Sequence, residues 1–297
     1  MTGIVQRGRI YSLKVGDKNK GWEISDLNIS FDVTKSANNK DKTNSATVEV
    51  YNLSPDKRAY LEEDYTYIEL KVGYREQGLI LLFSGQATEV TSRKSGQDIV
   101  TRISIGSAYT DINHKTISKL VPAGRTVKDV IEELRKEIPS VSRAVYTGVN
   151  INSQVVDGYP ISTTARKTLD DLARAYKIDW QIDNGVLYTS DSSGSHSNKS
   201  SAIVISPTTG LIEVPYATTK EVTPEGAPKR ARKGERVVKA RKKGVQFKHL
   251  LNPNLVAGGI VKIESEQYDG FYKVNEIRSY GEWLGNDWYS DVSAERL

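Results

Sequence analysis

The chain has 297 residues, 37% hydrophobic and 27% charged, a composition typical of a polar protein with room for two or three domains. It contains no cysteine, which excludes disulfides, thiolate catalysis and cysteine-based metal sites. The net charge is +5, yet residues 228–244 hold nine Lys and Arg against one acidic residue, and the rest of the chain carries 33 basic and 36 acidic side chains. The N-terminus lacks the apolar core of a signal peptide, and the longest run of large apolar residues is too short to span a bilayer, so we expect a soluble protein made in the cytoplasm, without a membrane partner.

Strands dominate the first hundred residues. Apolar residues alternate at period two in four segments, which predicts strands with one buried and one wet face: 27–33, 46–50, 68–74 and 99–105. The run 79–83 is apolar on both faces, which predicts a strand covered on both sides. The polar segments 74–78 and 92–97 contain Gly and are typical of hairpin loops. Five strands with short connections predict a sandwich or a small closed barrel.

The second of these strands is cut off abruptly at Asn-Leu-Ser-Pro, residues 52–55. Ser54 is a favourable helix N-cap, and Pro55 suits the first helical position, where its missing N–H costs nothing. We therefore predict one capped turn of helix before the next strand at 65–74. By itself this turn is interpreted as a connection that closes the barrel.

The middle of the chain changes to a helical period. Residues 126–138 place five apolar side chains on one stripe, with Thr126 as cap and Pro139 as stop. A second helix follows, with Leu169, Leu172, Ala173 and Tyr176 on one face, and leads into a hairpin that turns at Asn184-Gly185. The polar segment 191–201 is interpreted as a structureless linker.

The basic segment stands out in the last third of the chain. Its Pro and Gly residues favour a solvated or protein-facing loop, and its charge also allows contact with nucleic acid. No aromatic residue lies among the charges, so base stacking is not indicated. The candidate contact residues are Lys229, Arg230, Arg232, Lys233, Arg236, Lys239, Arg241, Lys242 and Lys243.

Strands return after the basic segment. Asp269-Gly270 and Gly285-Asn286 each predict a hairpin turn. The order along the chain is therefore β-rich, α+β and again β-rich.

No catalytic motif emerges from the sequence. Walker and dinucleotide fingerprints are absent, and His114, His196 and His249 are interpreted as surface or loop histidines because none has a partner at ligand spacing. The pairs Glu132-Glu133 and Asp170-Asp171 lie opposite apolar stripes and are interpreted as solvated. We expect no enzyme activity, no metal and no cofactor.

Several motifs near the C-terminus occur together in the order and spacing of phage baseplate hub proteins, which this chain resembles. They are Gly210-Leu211-Ile212, Leu250-Leu251-Asn252-Pro253, Gly258-Gly259, Asp269-Gly270 and Gly285-Asn286-Asp287-Trp288. The segments VEVYNLSP, IELKVGY and LLFSGQATEV are similar to the N-terminal tube-like barrel of these hubs, and TLDDLARAYKIDWQIDNGVLY is similar to their helix-plus-hairpin module. The basic insertion between Pro215 and Gly244 departs from the pattern.

The resemblance implies an α+β, mostly β fold with two tube-like antiparallel β-barrel domains and a small α+β domain. The expected divisions are 1–107 for the N-terminal tube-like barrel, 108–190 for the α+β domain, 191–201 for a linker, and 202–297 for the second tube-like domain with its basic loop 224–244. Ser54 and Pro55 would then help to close a barrel or contact the neighbouring one.

The resemblance also implies a structural role in the virion tail baseplate. Such hubs are homotrimers whose six barrels match the hexameric tail tube, while their three-fold symmetry accepts the central spike. Expected partners are the tail tube or tail terminal tube protein and the spike, with wedge and tape measure proteins as further contacts and DNA only in transit. The alternatives are the hub of an injection device without DNA, such as a tailocin or secretion spike, and a nucleic-acid-binding protein that uses residues 228–244. A murein-degrading hub enzyme would need an acidic pair in a cleft.

Overall fold

The computed structural model describes residues 8–16, 21–38, 44–62, 66–192, 194–197, 199–222 and 240–297. Within these ranges, twenty strands and four α-helices form. The elements of the first third are β1 (Arg9–Gly16), β2 (Gly21–Ile24), β3 (Ile29–Ser36), β4 (Ser45–Tyr51), α1 (Pro55–Leu61), β5 (Tyr67–Tyr74), β6 (Gly78–Ser95) and β7 (Asp98–Gly106).

The remaining elements divide into a mixed middle region and a β-rich C-terminal region. The middle region comprises α2 (Tyr109–Asn113), β8 (Thr116–Val121), β9 (Arg125–Thr126), α3 (Val127–Lys136), β10 (Arg143–Tyr146), β11 (Gln154–Val155), β12 (Tyr159–Thr164), α4 (Ala165–Tyr176), β13 (Ile178–Asp183) and β14 (Val186–Asp191). The C-terminal region comprises β15 (Ile203–Ile205), β16 (Tyr216–Val222), β17 (Ala240–Leu250), β18 (Ile260–Glu264), β19 (Asp269–Glu282) and β20 (Trp288–Arg296).

One thirteen-stranded sheet runs through both β-rich regions. Its order is β16-β17-β20-β19-β3-β4-β7-β6-β5-β1-β2, and β18 and β15 join it beside β19. No hydrogen-bonded ladder closes this sheet into a ring within the part of the chain that the structure describes. The α+β, mostly β class is confirmed, and the two β-rich regions share one continuous sheet.

Three hydrophobic clusters form the cores. The first is built from the strands of the first third and also takes in Leu251 and Trp288 from the C-terminal region. The second belongs to the middle region and packs α3 and α4 against β13 and β14. The third fills the C-terminal region and takes in Ala37 from the end of β3. The first and third cores therefore each include side chains from the other half of the sheet.

The helices of the middle region form where the sequence predicts them. Thr126 caps α3 by accepting a hydrogen bond from Asp129 N, while the Asp129 carboxylate accepts one from Thr126 N at 2.9 Å. The turn between β13 and β14 uses Asn184 and Gly185, both at positive φ, as a tight hairpin of this type requires.

The tip of that hairpin is fixed to the large sheet by buried polar contacts. Lys35 Nζ on β3 lies 2.8 Å from Asp183 Oδ1 and 3.0 Å from Oδ2, and both side chains are almost fully buried. Asn44 Nδ2 donates to Ile182 O at 2.9 Å, and Asn184 Oδ1 accepts from Ser84 N at 2.9 Å. These bonds fix the middle region against β3, β4 and β6.

A second set of contacts joins the middle region to the C-terminal region. Gln181 Nε2 donates to Ala257 O at 2.6 Å, and His196 N donates to Gly258 O at 2.8 Å. Gly258 has a φ of +79°, and a Cβ at this position would lie only 1.8 Å from His196 Cδ2. Only glycine can therefore occupy this turn beside the imidazole.

The histidines correct one interpretation from sequence. His114 is exposed, but His196 and His249 are 6% and 0% exposed, so they are buried and not surface histidines. Burial lowers the pKa of His196 to about 4, helped by the nearby charge of Lys273, and burial also lowers the pKa of His249. In the described part of segment 191–201, Lys199–Ser201 form a three-residue 3₁₀ turn and His196 is buried, so these residues are not structureless.

Other expectations also need correction. The turn after β18 lies at 265–268, and Asp269-Gly270 begins β19, because Glu264 pairs with Asp269 and Ile263 with Gly270. The loop 283–287 between β19 and β20 contains Gly285-Asn286, as predicted.

Strand β6 is less covered than its apolar run suggested. Leu79 is 42% exposed, and β6 continues to Ser95, well into the segment expected to be a loop.

Two carboxylates are less solvated than expected, since Asp170 accepts from Trp180 Nε1 at 3.1 Å and Glu132 binds Arg135.

Loss of one member of the buried ion pair should destabilise the protein strongly. Asp183→Ala leaves the Lys35 ammonium buried without its carboxylate, and we expect a loss of about 3–5 kcal/mol in the free energy of unfolding, measured by urea titration. The double variant Lys35→Met/Asp183→Leu removes both charges and should recover most of that loss. A double variant no more stable than Asp183→Ala would contradict this account.

Acid should destabilise the protein through His196. Its pKa is about 4 in the folded protein against 6.5 as the ordinary value, so the unfolded chain binds more protons between those limits and stability falls as pH drops through this window. We expect about 2 kcal/mol less stability at pH 5 than at pH 7 from this group, with His249 adding in the same direction. His196→Gln should flatten the dependence, whereas His114→Gln, at an exposed site, should leave it unchanged. Equal slopes for wild type and His196→Gln would refute this assignment.

Candidate assembly site

The described residues offer little for bond chemistry. No group of three or more His, Cys, Asp or Glu that could hold a metal occurs among them. Within the same ranges, no helix has the length and apolar character needed to cross a membrane. The features of the described residues that suit assembly are exposed surfaces and strand edges.

The short helix α1 forms at the predicted position. Ser54 is the N-cap residue and Pro55 occupies the first helical position, although the Ser54 side chain makes no capping hydrogen bond. Both residues are exposed, whereas Leu61 at the other end is buried in the first core. Lys57 Nζ lies 5.1 Å from the centre of the Trp22 ring. The helix therefore covers the core with its C-terminal end and presents Ser54 and Pro55 to solvent.

The basic candidates separate into two groups. Arg241, Lys242 and Lys243 lie on β17, opposite Glu221, Lys220 and Thr219 of β16, so residues 240–244 form a strand and not part of a loop. This corrects the end of the expected loop 224–244, because residues 240–244 pair with β16, whereas 224–239 lie outside the described residues. The other six lie outside the described residues: Lys229, Arg230, Arg232, Lys233, Arg236 and Lys239.

The two halves of the large sheet repeat one strand order. In the first half the hydrogen-bonded order is β3-β4-β7-β6-β5, and in the second half it is β16-β17-β20-β19-β18. The longest strand of each half contains a β-bulge. In β6 it lies between Ala87 and Glu89, and in β19 it lies between Val274 and Glu276. The halves differ at the next strand, since β1 is antiparallel to β5 whereas β15 is parallel to β18. The sheet thus contains two copies of one module.

Backbone bonds outside the ladders support the same equivalence. Asn52 N, just after β4, donates to Ile99 O at the start of β7 at 2.8 Å. Leu251 N, just after β17, donates to Trp288 O at the start of β20 at 3.0 Å. In sheet order, the second and third strands of each module are therefore joined by one additional backbone bond at the same end.

The two modules meet where β19 pairs with β3. Residues 276–282 of β19 run antiparallel to 30–36 of β3. On one face of this junction Arg278 Nη2 binds Asp32 Oδ2 at 2.7 Å, and on the other Ile277 and Val33 are buried. The beginning of β19, 269–273, pairs instead with β18 of its own module. Strand β19 therefore pairs with a strand of its own module at its beginning and with a strand of the neighbouring module at its end.

The strands equivalent to β19 and β3 are β6 in the first module and β16 in the second, and each has an edge that no strand of the described ranges pairs with. Strand β6, the counterpart of β19, pairs with β5 only along 67–74 and 78–86, and within the described ranges no strand pairs with that edge of 89–95. These residues are exposed except for the half-buried Val90. Strand β16, the counterpart of β3, ends the strand order and pairs only with β17.

Exposed apolar side chains accompany the open edge of β16. Ile212, Val214 and Tyr216 are 46%, 62% and 55% exposed and alternate along the chain as it enters this strand. Tyr216 and Thr218 line a groove of about 1070 Å³. Alternating exposed apolar residues beside an unpaired edge are typical of a surface that another protein covers.

Sequence reasoning missed this arrangement of edges. The bulge and the extension of β6 to Ser95 lie in a polar segment, and a polar segment of this composition predicts a loop. The available signal was the alternation of Thr, Ser and Val after Ala87, which a longer strand would also produce.

Comparison with known proteins identifies the family. The family model described as baseplate hub gp41 matches residues 12–224, which is more than half of the chain. The chain therefore belongs to the baseplate hub gp41 family, whose members are structural proteins of the phage tail baseplate. The comparison with curated proteins found no match.

Solved structures share the fold at low identity. The 43 kDa tail protein of prophage MuSo2 from Shewanella oneidensis has a TM-score of 0.63 at 11% identity, covering 97% of this chain and 98% of that one. The tail protein from Neisseria meningitidis MC58 has a TM-score of 0.64 at 11% identity, covering 98% and 97%. The E. coli c3393 protein, a component of the type VI secretion system, has a TM-score of 0.58 at 8% identity, covering 91% and 74%.

Substitutions at the two ends of α1 should separate packing from capping. Leu61→Ala removes a fully buried side chain and should cost about 2–5 kcal/mol of unfolding free energy. Ser54→Ala should change stability by less than about 0.5 kcal/mol, because the hydroxyl makes no capping bond and is exposed. Urea titration of both variants measures the difference. Equal losses would show that the Ser54 side chain stabilises the helix after all.

Proposed function

We propose that this protein is the hub of a phage tail baseplate and forms a homotrimeric ring in which each chain contributes two tube-like β modules. The repeated strand order of the large sheet carries the proposal, because three chains with two equivalent modules each produce six similar positions around one axis. A ring of this kind presents six-fold pseudo-symmetry on one side and three-fold symmetry on the other.

The ring adapts one symmetry to another. Its six modules match a hexameric tail tube, and its three-fold symmetry accepts a trimeric central spike. The family assignment and the shared fold of a type VI secretion component support these partners. Wedge and tape measure proteins are further candidates at the outer and inner surfaces.

The proposed ring encloses part of the channel through which DNA leaves. Strong phosphate contacts along the wall would slow the passage of DNA, so a conduit favours a wall without a dense basic patch. We therefore propose that the basic residues between Lys229 and Lys243 contact an acidic neighbouring protein. The role remains structural, because symmetry matching needs no bond chemistry.

Ser54 and Pro55 are proposed to contact a neighbouring module. They are exposed at one end of a helix whose other end is buried, so they can be changed without opening the core. The variant Ser54→Ala/Pro55→Ala should keep the monomer's unfolding free energy within about 0.5 kcal/mol while lowering the fraction of assembled rings. Ring assembly equal to wild type would remove these residues from the interface.

The copy number in purified tail particles tests the hub. Quantitative mass spectrometry against the tube protein should give about three copies per particle, as one closed three-fold ring requires. Many copies would make the protein a tube subunit, and its absence from the particles would return the nucleic-acid-binding alternative. Particles that carry the ring but neither capsid nor DNA would point to an injection device instead.

A further inference from the structure

We infer that strand β6 of one chain pairs through residues 89–93 with residues 216–220 of β16 in a second copy of the chain. The inference rests on the proposed ring and specifies how its chains are joined. Within one chain, β19 and β3 already form such a junction, and β6 and β16 are their counterparts with open edges. The intrachain junction is thus a template for the junction between chains.

The template fixes the register through two matching rows of residues across the sheet. In the first module the row runs through Glu89, Ser104, Thr47 and Asp32, which are opposite one another on β6, β7, β4 and β3. In the second module the row runs through Glu276, Ser293, Gln246 and Tyr216 on β19, β20, β17 and β16. Both rows begin at the residue that follows the bulge, so Glu89 corresponds to Glu276 and Asp32 to Tyr216.

The intrachain pairing then translates directly. Asp32 is opposite Tyr280, four residues beyond Glu276, so Tyr216 is opposite the residue four beyond Glu89, which is Arg93. Antiparallel pairing determines the other partners. The pairs between chains are Glu89 with Lys220, Val90 with Thr219, Thr91 with Thr218, Ser92 with Ala217, and Arg93 with Tyr216.

These pairs are chemically compatible. Thr91 and Thr218 are β-branched residues that suit opposed positions on neighbouring strands. Arg93 would lie beside the exposed ring of Tyr216, where a guanidinium can stack on the aromatic face. The arrangement resembles the template, in which Arg278 contacts both Asp32 and the Tyr280 ring.

A second copy is the occupant that the structure favours. Each chain has the unpaired edge of β6 on its first module and the unpaired edge of β16 on its second. Copies of one chain can therefore join head to tail, β6 of one against β16 of the next. A head-to-tail contact between identical chains closes into a ring when the rotation at each junction is suitable. Because the intrachain junction is the same contact, all six junctions of the ring would be of one kind.

Engineered cysteines test the register cleanly, because the chain has none of its own. The double variants Thr91→Cys/Thr218→Cys and Ser92→Cys/Ala217→Cys place thiols opposite each other between chains, and both are made because adjacent pairs differ in Cα separation. The control Thr91→Cys/Ala217→Cys is shifted by one residue, which puts the thiols on opposite faces. Each full-length protein is oxidised with copper phenanthroline, analysed on a non-reducing gel, and measured by light scattering in reducing buffer.

We expect trimers in reducing buffer for all variants, loss of the monomer band after oxidation for at least one matched pair, and no loss for the control. Trimers without a cross-link, or with equal cross-linking in the control, would overturn the strand pairing while leaving the trimeric hub in place. Monomers at every concentration, with no cross-link in any variant, would overturn both. Unchanged circular dichroism spectra show that the variants are folded.

Discussion

The buried ion pair between Lys35 and Asp183 is the constraint that joins the middle region to the large sheet. Lys35 lies on β3, the strand through which the first module joins the second, and Asp183 lies at the tip of the middle region's hairpin. A buried charge is tolerated only when its partner and hydrogen bonds are held in place, so the pair favours one position of the hairpin tip against β3. The middle region is thus held against β3, the strand that pairs with β19.

The position of β4 inside the sheet explains why this strand stops at Asn-Leu-Ser-Pro. Strand β4 is internal to the sheet, and its chain has to leave the sheet, cross the end of the first core and return as β5. The short helix α1 makes that crossing and covers the core with Leu61. The second module makes the equivalent crossing after β17 with a loop around Pro253, so the two modules solve one topological requirement with different local structures.

Local patterns predicted the elements well and their connections less well. The period-two strands, the capped α3 and the Asn184-Gly185 turn were found from sequence because each depends on neighbouring residues. The prediction of a turn at Asp269-Gly270 was wrong, since the turn lies three residues earlier and Gly270 belongs to β19. Burial of His196 and the partner of Asp183 depend on residues more than fifty positions away, and no local pattern contains that information.

Open strand edges are the feature that best connects this fold to assembly. A long unpaired edge invites indiscriminate pairing, and monomeric proteins usually cover or shorten it. Here the open part of β6 carries Glu89, Arg93 and Lys94, and charged side chains on an edge strand limit pairing with chance partners. If chains join by the contact that already joins the two modules, the rotation set by the pairing of β19 with β3 is also the rotation between chains. Closure of the ring would then follow from the packing of one chain, and the open edges of β6 and β16 would both be paired.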